Sequence, residues 1–168
     1  MISIRPFKET DAAAAGVLIA DTYRRFNLAD FSAGKQEEML GPFAHARSTD
    51  PEHRATIASV LQAEMVFVAM DGGELVGILR GRPDKLQSLF VRPDHHREGI
   101  GRLLVQAFEQ ECLQQGSTAV KLMSTLYAVP FYQAQGYKRS TGVRKMHSFE
   151  GEGLPYQPMK KILGAGED

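Results

Sequence analysis

A short loop between an apolar strand and an amphipathic helix carries the clearest chemical signal in this sequence of 168 residues. The loop is 97–102, Arg-Glu-Gly-Ile-Gly-Arg, and it follows the apolar segment 86–91. Apolar residues then recur at helical spacing over 100–112. The loop is therefore predicted at a helix N-terminus, where about four backbone N–H groups lack partners. Glycines at Gly99 and Gly101 let an anion approach these donors, which favours a phosphate or pyrophosphate site.

Two common nucleotide-binding motifs do not match this loop. A dinucleotide-binding fingerprint needs a third glycine, where Leu104 stands, and an acidic residue about twenty positions later, which is absent around 120–123. A P-loop needs Gly-Lys-Ser/Thr, which is also absent. The two glycines alone also fit a tight strand-to-helix turn that binds nothing, because short glycine motifs are weak signals.

A second segment, 125–137, reads T-L-Y-A-V-P-F-Y-Q-A-Q-G-Y. Together the two segments resemble the GNAT superfamily of acyl-CoA-dependent N-acetyltransferases. The family's phosphate loop runs Gln/Arg-x-x-Gly-x-Gly/Ala, and His96 replaces its first residue here. The later block runs Asn-x-x-Ala-x-x-Phe-Tyr-x-x-x-Gly-Phe, and Thr125 replaces its Asn. The resemblance covers roughly residues 65–137 well, and the flanks only in the order of their elements.

The resemblance implies an α+β fold in three layers, with a mixed, mostly antiparallel central sheet, helices on both faces and a splayed parallel strand pair. It implies acetyl-CoA as co-substrate and no metal. The strand before the phosphate loop would hold the pantetheine arm, and residues after the next strand would line the opposite wall. The implied cofactor-binding residues are Leu89, Phe90, Val91, His96, Arg97, Glu98, Gly99, Ile100, Gly101, Arg102, Ser124, Thr125, Ala128 and Phe131.

Tyr132 is the candidate catalytic residue, because it matches the tyrosine of the family's Phe-Tyr block. In acetyl transfer to an amine the leaving thiolate needs a proton, and a phenol with a reference pKa of about 10 is still protonated at neutral pH. Tyr132 would be the general acid. The competing interpretation is a core aromatic residue on a short helix.

The general base stays open. Many relatives carry an acidic residue on the strand that leads into the phosphate loop, but Gln87 and Ser88 stand there. The substitutes that remain open are a water chain, a backbone carbonyl, Glu64, His45 and His147. By family position the acceptor would contact the loops 27–34 and 140–156. The aromatic residues that could line a pocket there, or belong to the core, are Tyr23, Phe26, Phe31, Tyr127 and Tyr156.

Composition narrows the range of partners. Twenty basic and twenty acidic residues give a formal net charge of zero, which argues against nucleic-acid or membrane-surface binding. The adjacent His95 and His96 lack the cysteine or carboxylate partners of a metal site. Cys112 lies on the apolar helix face and is predicted to be a small buried hydrophobe. The longest apolar run, 12–20, is too short to span a bilayer.

The length favours one domain over 1–168. No apolar signal-peptide region is visible at the N-terminus, so a cytoplasmic protein is expected. The predicted helices are 10–26, 35–46, 51–63, 100–115 and a short one from Pro130 to Gly136. The predicted strands are 2–5, 65–70, 74–81, 86–91, 119–123, a last pair opened by Tyr137, and 157–163. Strands 86–91 and 119–123 should be parallel, because a helical crossover separates them.

The function predicted from the sequence is transfer of acetyl from acetyl-CoA to a primary amine of a small molecule or peptide by direct attack. One alternative is a non-catalytic acyl-CoA-binding module of the same fold. Another is a nucleotide-binding protein that uses the glycine loop alone. No nucleic acid or membrane partner is expected, and homodimer formation stays open.

Overall fold

The computed structural model describes residues 1–146 and 154–164. The α-helices in these ranges are α1 (Ala12–Phe26), α2 (Ala33–Leu40), α3 (Pro51–Leu61), α4 (Ile100–Gln114) and α5 (Val129–Ala134). The strands are β1 (Ile2–Pro6), β2 (Met65–Asp71), β3 (Glu74–Arg82), β4 (Lys85–Val91), β5 (Ala119–Thr125), β6 (Lys138–Arg139), β7 (Arg144–Lys145) and β8 (Pro155–Ile162).

One mixed sheet contains all eight strands. Its order is β1-β2-β3-β4-β5-β8, and β6 and β7 both pair with β8 beyond it. The β4–β5 pair is parallel and the others are antiparallel. The parallel direction follows from α4, which carries the chain from the end of β4 back to the start of β5. The predicted mixed, mostly antiparallel sheet with one parallel pair is confirmed.

The parallel pair separates soon after it begins. Two residue pairs join the strands, Lys85 with Lys121 and Leu86 with Leu122, and the described residues contain no further pair between them. On the other side of β4 the register with β3 shifts, so that Gln87 has no partner between the paired Leu86 and Ser88. An extra residue of this kind bends its strand and increases the twist. We attribute the cleft between β4 and β5 to this bulge.

Apolar side chains pack on both faces of the sheet, as the fold class predicts. On one face α4 buries Leu104, Phe108 and Cys112 against the strands. The cysteine is therefore a buried free thiol, as expected. On the other face α1 and α3 bury Ile19 and Leu61 in a separate cluster. The α4 layer packs on Leu86 of β4 and Leu122 of β5, whereas the other layer packs on Phe90 of β4.

The predicted helix 35–46 is wrong in its extent. The observed helix, α2, starts earlier, at Ala33, with Ser32 as its N-cap, and it ends at Leu40. Gly41 has a φ of 55° and Pro42 follows it. Because neither residue continues an α-helix there, a 3-10 turn replaces the second half of the predicted element.

Smaller differences concern element ends. The helix predicted to reach residue 63 ends at Leu61, and the last strand begins at Pro155 rather than at 157. The turn-rich loop predicted at 151–155 and the frayed end predicted at 164–168 fall mostly outside the described residues. No helix in the described part of the chain combines the length and apolarity needed to cross a membrane.

Candidate functional site

The N-terminus of α4 presents unpaired backbone donors. Gly99 precedes the helix with φ 80° and ψ 9°, a left-handed conformation that glycine adopts without strain. No side chain caps the helix, and among the described residues nothing accepts from the N–H groups of Ile100, Gly101 or Arg102. These three donors and the helix dipole together favour an anion at this position.

The two glycines of the loop have different structural roles. Gly99 has a positive φ, which glycine adopts without strain, whereas the φ of Gly101 is not positive. A Cβ atom on Gly101 would lie 3.0 Å from Cζ and 3.1 Å from Cε2 of Phe131. Such distances are too short for a carbon contact, so Gly101 also makes room for an aromatic ring on α5. From the sequence this glycine was expected either to admit an anion or to shape a tight turn, and the contact with Phe131 is a further role.

A groove of about 530 Å³ runs from the start of α4 along α5 and the end of β4. We call it the long groove. Phe90, Ser124 and Thr125, although predicted for the cofactor, do not line it, and neither does Glu98. The other predicted site residues do: Leu89, Val91, His96, Arg97, Gly99, Ile100, Gly101, Arg102, Ala128, Phe131 and Tyr132.

A smaller cavity of about 130 Å³ lies in the cleft between β4 and β5, on the side of α1. We call it the inner cavity. Phe90, Ser124 and Thr125 line it, together with Thr22 and Asn27. Six residues line both spaces: Leu89, Val91, His96, Tyr127, Ala128 and Tyr132. A ligand in the long groove would therefore meet a ligand in the inner cavity within the cleft.

Tyr132 stands where the two spaces meet. Its side chain is 6% exposed and packs edge-to-face on Phe131 and on Tyr137, with ring centroids 5.0 and 5.9 Å away. Burial raises the pKa of the Tyr132 phenol above its usual value, and the nearby Tyr127 adds to the shift. The hydroxyl is therefore protonated throughout the neutral range and can act as a proton or hydrogen-bond donor.

An aromatic stack crosses the junction. Phe26, at the end of α1, stacks with the His96 and Tyr127 rings, with centroid distances of 5.1 and 5.6 Å. His96 Nε2 donates to the Val91 carbonyl at 2.7 Å. The substitution of His96 for the family's Gln or Arg thus adds a ring to this stack and occupies one backbone acceptor of β4.

Two buried hydroxyl groups beside the inner cavity lack hydrogen-bond partners among the described residues. They are Thr22 Oγ1 and Ser88 Oγ, and both residues line the cavity. A buried hydroxyl without a partner is unfavourable, by about 1–3 kcal/mol, so these two groups are available to a ligand or to water.

No carboxylate lines the inner cavity within the described residues. Glu64 and His45, which the sequence left open as bases, line neither space, and His45 instead stacks on His53 at 3.9 Å. His147 lies outside the described residues. In those same ranges no group of three or more His, Cys, Asp or Glu side chains could hold a metal ion.

His95 connects the segment before α4 to the end of β2 through hydrogen bonds. Its Nε2 lies 3.0 Å from Asp71 Oδ2 and its Nδ1 lies 2.9 Å from Asp94 Oδ1. Both nitrogens can donate only in the charged imidazolium. The hydrogen bond to Asp94, then that to Asp71, raises the pKa of His95, while the partnership with Arg92 lowers the pKa of Asp94 to about 2.

We expect this contact to make the stability of the protein depend on pH. Because the folded state raises the pKa of His95, its contribution is complete below the unfolded pKa of about 6.5 and disappears as the pH rises through the folded value. The effect should be small, since Asp71 and Asp94 are 40% and 63% exposed. Melting temperatures of the parent and of His95→Gln, measured across this window, should converge at high pH. A constant difference would exclude the imidazolium contact.

Thr22 is a site residue that the sequence did not predict. It lies on α1, is 5% exposed and lines the inner cavity. A signal was present: Thr22 falls at helical spacing after Ala15 and Leu18, which are buried. A polar residue on the buried face of α1 indicates either a satisfied hydrogen bond or a cavity.

The comparisons with known proteins agree with the resemblance. Residues 32–163 match the family model described as "Acetyltransferase (GNAT) domain". The chain is 31% identical over 99 residues to an uncharacterised N-acetyltransferase, YjcF, of Bacillus subtilis; the match covers 56% of this chain and 68% of that protein. A putative acetyltransferase of the same bacterium is 28% identical over 81 residues, which cover 48% and 52% of the two chains.

Solved structures share the fold over nearly the whole chain. A GCN5-related N-acetyltransferase of Rhodopseudomonas palustris superposes with a TM-score of 0.76 at 24% identity, covering 96% of this chain and 95% of the other. The PaiA N-acetyltransferase of Thermoplasma acidophilum, in complex with coenzyme A, superposes with a TM-score of 0.69 at 16% identity, covering 96% of this chain and 99% of the other. YncA of Salmonella typhimurium, a putative acetyltransferase with acetyl-CoA, superposes with a TM-score of 0.67 at 16% identity, covering 97% of this chain and 94% of the other.

Proposed function

Because the chain belongs to the GNAT acetyltransferase family, we propose that it transfers the acetyl group of acetyl-CoA to a primary amine of a small molecule or a peptide. The observation that carries the proposal is the meeting of the long groove and the inner cavity at Tyr132. The cofactor enters along the first and the amine along the second. Relatives with this fold have been solved with coenzyme A or acetyl-CoA, which supports the choice of cofactor.

The pyrophosphate of the cofactor would bind at the start of α4. The N–H groups of Ile100, Gly101 and Arg102 have no other acceptor among the described residues. Arg97 and Arg102 also line the long groove and bring positive charge to it. His96 contributes through the aromatic stack rather than as a replacement for the family's Gln or Arg, since its Nε2 already donates to Val91.

The pantetheine arm and the thioester would lie along the cleft-facing side of β4. Beyond Leu86 this strand has no partner on the β5 side among the residues that the structure describes, so its backbone groups there can bind the cofactor's amides. The Val91 carbonyl already accepts one hydrogen bond from His96 Nε2, which leaves it one lone pair for this role. Leu89 and Phe131 supply apolar surface in the groove.

In the reaction, the lone pair of a neutral amine attacks the thioester carbonyl carbon, the new C–N bond forms and the C–S bond breaks. The thiolate takes a proton from the Tyr132 hydroxyl, and the phenolate regains one, through water, from the nitrogen of the new amide. No net proton is consumed. The buried setting raises the pKa of the phenol and would also raise that of a coenzyme A thiol beside it, so the two shifts offset each other in the proton transfer.

The amine would lose its first proton to water rather than to a carboxylate. The inner cavity has no acidic residue among the described lining residues. Thr22 and Ser88 offer hydroxyl groups that can hold a water molecule there. A cavity without a carboxylate among its described lining residues also disfavours the ammonium form of a bound amine, which assists its deprotonation.

The missing carboxylate also supports the second candidate, a non-catalytic acyl-CoA-binding module. The two functions differ in one measurable respect, which is release of free thiol. The experiment follows free thiol from acetyl-CoA during incubation with a panel of small amines, amino acids and peptides. A reaction without amine measures hydrolysis, and mass spectrometry identifies the acetylated product.

A further inference from the structure

Five cationic residues form a row across the sheet. Arg82 pairs with Lys85, Lys85 with Lys121, and Lys121 with Lys160, which also pairs with Lys138. The row therefore crosses β3, β4, β5, β8 and β6. Side chains of directly paired residues project from the same face of a sheet, so these five point to one side. We call them the cationic row.

The row is unfavourable for the isolated protein. Like charges directly opposite each other in a sheet are destabilising. Within the described residues none of the five forms an ion pair. Of the described residues, one carboxylate, Asp84, lines the broad surface concavity around the row, and Arg144 adds a further cation there. Such an arrangement is complementary to an anionic ligand.

Among the described residues, no helix covers this face of the sheet at β5 and β8. The neighbours of the row on these strands, Leu122 and Met159, are buried on the α4 side. The cluster beneath α1 and α3 contains no buried residue from β5, β6 or β8. Lys121, Lys138 and Lys160 are exposed. The row therefore lies on open surface, on the side of the sheet opposite α4.

Met123 connects the row to the inner cavity. It lies two residues beyond Lys121 on β5, on the same face, at a distance of about 7 Å along the strand. Its side chain is 42% exposed and lines both the inner cavity and the concavity of about 1060 Å³ around the row. An acceptor that enters the cleft past Met123 extends directly onto the cationic row.

We propose that the cationic row binds an acidic segment of a polypeptide acceptor whose amine enters the inner cavity past Met123. This inference rests on the proposed acetyl transfer and specifies its acceptor. Four strand spacings make the row about 19 Å long, the length of about six residues of extended chain. The acidic residues would begin about two or three positions after the amine. A small molecule that enters past Met123 would reach only Lys121, in the middle of the row.

The test uses peptides of seven residues with a free N-terminal amine. One carries glutamate at positions three to six, and its isostere carries glutamine there. At low ionic strength the specificity constant kcat/KM for the glutamate peptide should be about tenfold higher, mostly through KM. The difference should shrink as salt approaches about 1 M, because salt screens exposed charges.

The double variant Lys121→Gln/Lys160→Gln should lose the preference for the glutamate peptide and keep kcat for the glutamine peptide. It should melt at the same temperature as the parent or higher, since it removes like-charge repulsion. Lys8→Gln is the matched control, because Lys8 follows β1 at the opposite edge of the sheet. That variant should keep the preference.

A binding arm separates this inference from the proposed function. The same peptides, acetylated at the N-terminus and labelled with a fluorophore, cannot react, so their anisotropy reports binding alone. If no amine is ever acetylated, the proposed function fails while this arm still measures acidic-peptide binding. Equal affinity for the two peptides, or an unchanged preference in the double variant, overturns the inference. So does a single-stranded oligonucleotide that displaces the glutamate peptide at a lower concentration than the peptide itself requires.

Discussion

Tyr132→Phe should lower kcat by about 10²–10⁴-fold and leave the affinity for acetyl-CoA within a few-fold of the parent. The substitution keeps the ring, which packs on Phe131 and Tyr137, and removes only the hydroxyl. Because burial raises the pKa of Tyr132, the phenol stays protonated over the working range. The loss should therefore be nearly independent of pH. Steady-state kinetics on a confirmed acceptor, with calorimetric titration of the cofactor, measure both quantities.

Tyr137→Phe is the matched control for this substitution. Tyr137 is also a buried tyrosine next to Tyr132, but its hydroxyl donates to Glu109 Oε2 at 3.0 Å and lines neither space. Its loss should reduce the free energy of unfolding by about 1 kcal/mol and change kcat little. If the Tyr132→Phe enzyme turns over within threefold of the parent, Tyr132 is not the general acid.

Gly101→Val should reduce acetyl-CoA affinity at least tenfold, which is about 1.4 kcal/mol. A Cβ at this position would already lie 3.0 Å from the Phe131 ring, and valine adds two methyl groups. Phe131 is only partly buried, so the ring can shift into the long groove instead of breaking the fold. The same space would hold the cofactor. Calorimetric titration measures the affinity, and circular dichroism verifies that the variant folds.

Gly34→Val is the control for the glycine substitution. Gly34 also lies in a helix, and a Cβ there would have no neighbour within 4 Å. In this variant the free energy of unfolding should change only by the difference in helix propensity between glycine and valine. The variant should bind acetyl-CoA with the affinity of the parent. Adding Phe131→Leu to Gly101→Val should restore part of the affinity, since the smaller side chain relieves the contact. Parental affinity in Gly101→Val would show that the cofactor does not pass this point.

The elements around the site could be predicted because each has a local signal. The loop 97–102 lies at a helix N-terminus, as its flanking periodicities indicated. The parallel β4–β5 pair followed from the length of the crossover. The second helix was the exception. There the apolar spacing continued through Gly41 and Pro42, and backbone conformation overrode the pattern.

The parts of the site that escaped prediction depend on long-range register. In the sequence Gln87 has the pattern of an ordinary strand residue. It forms a bulge only because β3 has no residue paired with it. The steric role of Gly101 depends on Phe131, which lies on another helix. The cationic row joins residues from Arg82 to Lys160, and no local pattern places them side by side. The hydroxyls of Thr22 and Ser88 come from α1 and β4, and the fold alone brings them to one cavity.

Release of free thiol from acetyl-CoA across the amine panel tests the proposed acetyl transfer most directly. We expect thiol to appear in proportion to an N-acetylated product, with rates that saturate in both acetyl-CoA and at least one amine. The same acceptor should give little product with the Tyr132→Phe enzyme. Cofactor binding without amine-dependent thiol release, over the whole panel, would contradict acetyl transfer and identify a non-catalytic acyl-CoA-binding module.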